Sequence, residues 1–134
     1  MYITLLKFLK VCYENIVILH HNIVSPNYYA DHEKMAEYYE LVAEISDSLV
    51  EHAIAIGIKE PTIEEALEDF KALEVKDYSK FECYTLVQDM FNELFEDMEQ
   101  CKKEVPDYLK NLIEEYEAKL VIESKFKIAH LLNS

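Results

Sequence analysis

Residues 25–57, SPNYYADHEKMAEYYELVAEISDSLVEHAIAIG, decide how this chain folds. Pro26 suits the first turn of a helix, and Ser25 or Asn27 can cap it. From there nothing interrupts helical periodicity until Gly57, the only glycine in the chain, which stands where a helix C-terminus favours a left-handed residue. A helix from this start to Ile56 is about 45 Å long. Tyr28, Met35, Val42, Ile45 and Leu49 fall on one stripe of it, while Ala43, Val50 and Ile54 fall on another side.

The same punctuation organises the rest. Upstream, Leu5, Leu9, Cys12, Ile16 and Leu19 recur at helical spacing, predicting a helix over residues 2–21. Its end, Ile16-Val17-Ile18-Leu19, is apolar in every direction. Downstream, residues 58–78 are too many for a tight helix hairpin, and Pro61 with the capping box Thr62-x-x-Glu65 predicts a short helix within them. A second capping box, Ser79-x-x-Glu82, opens a third long helix with Phe81, Tyr84, Phe91, Leu94, Phe95 and Met98 on its apolar faces. Pro106 separates it from a fourth, residues 107–132, carrying Leu109, Leu112, Tyr116, Leu120, Ile128 and Leu131. Two helices, a long crossover and two more helices make an all-α, ferritin-like four-helix bundle, with the crossover and its short helix between helices 2 and 3. All 134 residues are expected in this single domain. A lone bundle buries one stripe per helix, so the second apolar side of the first two helices predicts a homo-oligomer.

Composition narrows the function. With one glycine there is no glycine-rich phosphate loop, and tight β-hairpins are disfavoured. There are 13 lysines, no arginine and 27 acidic residues, a net charge of −14. Such a surface attracts cations and argues against direct nucleic-acid binding, which depends on basic side chains. Cys12, Cys83 and Cys101 are odd in number and widely spaced, which reads as reduced thiols in a cytoplasmic protein. Lys7, Lys10 and Glu14 break the N-terminal apolar run, so neither a signal peptide nor a membrane span is expected.

Four metal-capable residues follow in order: His20, His32, Asp47 and Glu51. Asp47 and Glu51, four apart on a helix, project from one face and can clamp a cation. His32 lies 15 residues before Asp47 on the same helix, roughly 22 Å along its axis, so these two cannot hold one ion within one subunit. A single four-residue site requires two chains related by a twofold axis, His20 and His32 from one and Asp47 and Glu51 from the other. Imidazole and carboxylate together suit ferrous iron, manganese or zinc. His52 and His130 lack partners at ligand spacing and are expected at the surface or in an interface. Tyr28, Tyr29, Tyr38 and Tyr39 are expected to pack at an interface, with radical quenching near a metal as the alternative.

The segment HHNIVSPNYYADHEKMAEYYELVAEISDSLVEHAIAIG, residues 20–57, resembles the helix–loop–helix signature of the Dps-like mini-ferritins. In that family an HW-N-x-x-G-x-x-F-x-x-x-H run leads into Asp-x-x-x-Glu, and the spacings of twelve, fifteen and four fit His20, His32, Asp47 and Glu51. The crossover and the C-terminal ESKFKIAHLLN are also similar. The resemblance implies a hollow dodecamer built from twofold dimers, with ferrous iron oxidised at the twofold interfaces and stored inside. It makes the four residues ligands of an iron-binding ferroxidase and iron-storage protein, the alternative being a ferritin-like structural or binding protein without iron oxidation. The family pattern is not complete. Ala36 stands where the family has a further carboxylate, His21 replaces its Trp, and Ser25-Pro26 replaces its loop glycine. The loss at Ala36 predicts a weakened or absent second iron position, with Asp31, Glu33 and His21 as nearby substitutes. The basic terminal tail of the DNA-binding members is missing, so no direct DNA binding is expected.

Overall fold

The computed structural model describes residues 1–133. Its elements are α1 (Tyr2–Asn22), β1 (Ile23–Val24), α2 (Tyr28–Ala55), α3 (Ile63–Asp69), β2 (Tyr78–Ser79), α4 (Lys80–Cys101), a 3₁₀ turn (Lys102–Glu104) and α5 (Asp107–Val121). The last helix continues through a wider π-helical turn, Ile122–Ile128, into α6 (Ala129–Leu132). This is the expected all-α, ferritin-like bundle: α1 and α2 form an antiparallel pair, α1 packs on α4, and α4 packs on α5.

The helix ends form for the local reasons read above. Thr62 and Ser79 each accept the backbone N–H three residues on, while Glu65 and Glu82 accept the cap's own N–H in return. At the end of α2 the N–H of Ile58 reaches the carbonyl of Ala53 and that of Gly57 reaches Ile54, a Schellman closure. Gly57 has φ 87°, and a Cβ there would touch nothing within 4 Å. Its requirement is therefore conformational and not steric. Asn27 occupies the N-cap of α2 without a side-chain bond, and the Ser25 hydroxyl accepts the Asn27 N–H instead.

Two features were not legible beforehand. Ile23 and Val24 pair in parallel with Tyr78 and Ser79, a two-residue bridge tying the α1–α2 junction to the end of the crossover. In the π-helical turn, the Gln88 amide of α4 donates to the Ser124 carbonyl at 2.9 Å, satisfying backbone that the widened ladder re-aims.

Leu5, Leu9, Cys12, Ile16 and Leu19 of α1 face Met35, Val42, Ile45 and Leu49 of α2 in one fully buried core, joined by Phe91, Leu94 and Met98 of α4 and Leu109 and Leu120 of α5. Two expected core residues lie outside it: Tyr28 is 41% and Phe81 63% exposed, each in the first turn of its helix. The Tyr2 hydroxyl donates to the Leu49 carbonyl at 2.6 Å, locking the start of α1 to the end of α2. All three cysteines are buried and free. Among the described residues no helix is long and apolar enough to cross a membrane.

Asn15, buried in α1, secures the crossover. Its amide donates to the Lys71 carbonyl at 3.3 Å and its oxygen accepts the Leu73 N–H at 2.8 Å. Asn15→Ala leaves both backbone groups unpaired beneath the chain, and the expected loss is about 1–3 kcal/mol of stability. Urea denaturation checks the magnitude. Faster amide exchange at Leu73 than at Leu49 distinguishes a loosened crossover from general unfolding.

Candidate functional site

His20 closes the last turn of α1 and His32 lies in the second turn of α2, so the short connection between the helices folds them onto each other. Their rings stack with centroids 3.6 Å apart and an interplanar angle of 20°. The contact is reciprocal: His20 Nδ1 is 2.7 Å from the His32 carbonyl, and His32 Nδ1 is 2.7 Å from the His20 carbonyl. A carbonyl only accepts, so both Nδ1 atoms carry the proton. In the neutral rings both Nε2 atoms are then unprotonated, with their lone pairs available to a ligand. This is the arrangement in which backbone carbonyls orient metal-binding imidazoles. Burial holds the pKa of His20 below the ordinary 6.5, and the neighbouring imidazoles His32 and His21 act in the same direction. The ring is thus held in its neutral, ligating form at neutral pH.

Other rings surround the pair. Tyr28 stacks on His32 with centroids 5.1 Å apart, and Tyr39 meets His20 edge-on at 5.3 Å. Tyr13 in turn meets Tyr39 edge-on at 5.6 Å. His21, 5.3 Å from His20, is exposed.

Asp47 and Glu51 are exposed on α2, about two turns and one turn from its C-terminus respectively. Asp47 borders an open hollow of about 410 Å³ between α1, α2 and the crossover, with Tyr13, Glu14, Ala43 and Val50 among its walls. Within one chain the histidine pair and the carboxylate pair stay apart, as their spacing along α2 requires. Among the described residues, no three His, Cys, Asp or Glu side chains converge on one point. Each chain therefore carries the histidine pair and the carboxylate pair as separate groups along α1 and α2.

Of the substitutes for the carboxylate missing at Ala36, His21 and Glu33 are exposed at the surface. Asp31 is buried and turned away from the histidines. It accepts from the Tyr84 hydroxyl at 2.8 Å and from the Ser25 hydroxyl, and Lys80 lies 3.6 Å away. It anchors the start of α2 to α4, where the helix dipole also favours a negative charge. His52 donates to the Ser48 carbonyl of its own helix, and His130 to that of Phe126. Ring stacking, the crossed carbonyl bonds and the Tyr13–Tyr39 contact were missed in the sequence; the only signal was the density of aromatic residues at 28, 29, 38 and 39.

Solved structures with this architecture are the antigen TpF1 from Treponema pallidum (TM-score 0.92, 20% identity, 99% of this chain and 89% of that one), a Dps protein from Bacillus brevis (0.84, 23%, 97% and 94%) and Dps from Staphylococcus aureus (0.80, 19%, 98% and 91%). The chain thus has the Dps-like mini-ferritin fold over nearly its whole length. No protein-family model matches it, and no curated protein matches it.

The crossed bonds predict unusual tautomers. Free neutral histidine prefers the proton on Nε2, whereas nitrogen NMR of the metal-free protein at neutral pH should show His20 and His32 protonated at Nδ1. A conventional Nε2–H signal at His20 or His32 contradicts the geometry.

Proposed function

We propose that this chain is a Dps-like iron-binding ferroxidase and iron-storage subunit, a single ferritin-like domain over residues 1–134 that oxidises ferrous iron at sites shared between two copies. The stacked His20–His32 pair, with both Nε2 lone pairs released by the crossed carbonyl bonds, carries this reading. Two neutral imidazoles supply half of a hard, mixed N/O donor set, and Asp47 and Glu51 of a second copy supply the other half. A twofold axis that brings one copy's histidines to the other's carboxylates makes two identical sites at once. The apolar residues beside Asp47, namely Ala43, Val50 and the exposed Ile54, would be covered in the same contact.

Iron is the substrate. The field of 27 acidic against 13 basic residues raises its local concentration. The ligands hold it beside bound peroxide or oxygen, and the ferric product passes to carboxylates lining the interior of a closed shell of twofold dimers, a dodecamer. The same donors accommodate zinc or manganese. Eight of the thirteen lysines are already in ion pairs with acidic side chains, which leaves little basic surface for nucleic acid, and a cytoplasmic setting fits three free thiols. Ala36 favours a second reading, a ferritin-like structural protein without iron turnover, because it brings no donor to the turn after His32.

Complementation tests the shared site. Metal-free protein should oxidise ferrous iron with peroxide well above the buffer blank, and His20→Ala and Asp47→Ala should each lower the rate by at least about tenfold. When the two variants are dissociated, mixed and reassembled, dimers with one intact site form and part of the rate returns. Light scattering on the same samples reads the subunit number. No rate above the blank in the unaltered protein favours the structural reading, and full activity in either single variant removes these residues from the site.

A further inference from the structure

The two imidazoles hold each other, so the backbone that carries them has to be held from elsewhere. The turn of α2 that brings His32 to the pair starts without a side-chain cap, since Asn27 makes no such bond, and Tyr28 and Tyr29 at its beginning are exposed. A helix start of this kind frays unless a contact outside the helix fixes it. Asp31, the residue immediately before His32, makes that contact. Its carboxylate is buried: one oxygen accepts from the Tyr84 hydroxyl at 2.8 Å, and the other accepts from the Ser25 hydroxyl and lies 3.6 Å from the Lys80 ammonium. Burial and the bond to Asp31 raise the pKa of the Tyr84 phenol above its ordinary 10, so it stays a donor. Ser25 in turn accepts the Asn27 N–H at 3.1 Å. Lys80 and Tyr84 stand in the first two turns of α4, and Tyr78 and Ser79, which pair with Ile23 and Val24, run directly into that helix. The connection between the two histidines is therefore fastened to the start of α4 at two points, by the parallel bridge on the His20 side and by Asp31 on the His32 side.

From this we infer that Asp31 is a positioning residue for the histidine pair, and that Tyr84 and Ser25 act through it. The inference rests on the proposed function and deepens it, because it states how the histidine half of the donor set is held. The constraint is rotational. Successive residues of a helix point about 100° apart, so a side chain pinned to α4 at position 31 sets the direction of the next one at position 32. The crossed bonds, each 2.7 Å long, tolerate little rotation, because hydrogen bonds weaken steeply as they bend. Released from α4, the first turns of α2 rotate or unwind, the His32 ring leaves the stack, and His20 loses the acceptor for its Nδ1 proton. The two Nε2 lone pairs are then no longer presented together. A carboxylate suits the task better than a neutral side chain, since it accepts two hydroxyl donors in charge-assisted bonds and draws a lysine as well.

Nitrogen NMR of the metal-free protein tests this. In the unaltered chain the Nδ1 protons of His20 and His32 should exchange slowly with water. Tyr84→Phe keeps the ring and removes the donor to Asp31. It should speed that exchange by roughly ten- to a hundredfold, the equilibrium equivalent of one hydrogen bond to a charged group, and move both rings toward the ordinary Nε2 tautomer. Ser25→Ala should act in the same direction, and Asp31→Asn, which can still accept from Tyr84, should fall between the unaltered protein and Asp31→Ala. Tyr2→Phe is the control. It removes another buried phenolic bond, to the Leu49 carbonyl at the other end of the same helix pair, and should cost stability without moving the histidine signals. Histidine signals unchanged in Tyr84→Phe and Ser25→Ala overturn the inference, whether or not Asp31→Ala folds. Signals that move as far in Tyr2→Phe as in Tyr84→Phe also overturn it, because the effect is then a general loosening. No metal enters the measurement, so failure of the positioning role leaves the ferroxidase reading intact, and failure of iron oxidation leaves the positioning role intact.

Discussion

Two backbone carbonyls, one at the end of α1 and one near the start of α2, each accept a hydrogen bond from the other residue's imidazole. This crossed pair sets how the first two helices meet, because it can form only if the chain reverses within the few residues between them and brings the two rings face to face. Everything proposed for the chain depends on it. The bonds select the tautomer, the tautomer frees both Nε2 atoms, and the stack is flanked by Tyr28 and Tyr39. The Ile23–Tyr78 and Val24–Ser79 pairing braces the same corner from the crossover side, and Asn15 holds the crossover against α1 further down.

The bundle was legible in the sequence wherever the determinant is local. Both capping boxes form because their partners are three residues apart, and Gly57 terminates α2 through its own φ. What escaped depends on residues distant in sequence. The parallel bridge needs residues 23 and 78 together, the π-helical turn needs Gln88 beside Ser124, and the ring stack needs a particular approach of two helices. Periodicity also overreached at helix ends. Tyr28 and Phe81 are exposed in the first turn of their helices, and Tyr28 is instead used against His32.

For the candidate site, spacing alone decided the main point, since 15 helical residues cannot be bent to bring His32 to Asp47. It did not decide what each donor does. Asp31 and Ala36 lie five residues apart, and only coordinates show that Asp31 faces Tyr84 and Lys80, not the histidines. A carboxylate one turn from a candidate ligand is ambiguous until its own hydrogen bonds are known.

That orientation of Asp31 settles whether the chain can repair the loss at Ala36 by a local movement. Turning the carboxylate toward His32 would break the bonds from Tyr84 and Ser25 and separate it from Lys80. Each hydrogen bond to a charged group contributes about 1.5–3 kcal/mol, and the Tyr84 hydroxyl would be left buried without an acceptor. The movement would also draw a negative charge away from the first turn of α2, where the helix dipole stabilises it by a further 0.3–1 kcal/mol or so. The anchored Asp31 is therefore held by the way α2 is fastened to α4 and is not free to replace the donor missing at Ala36.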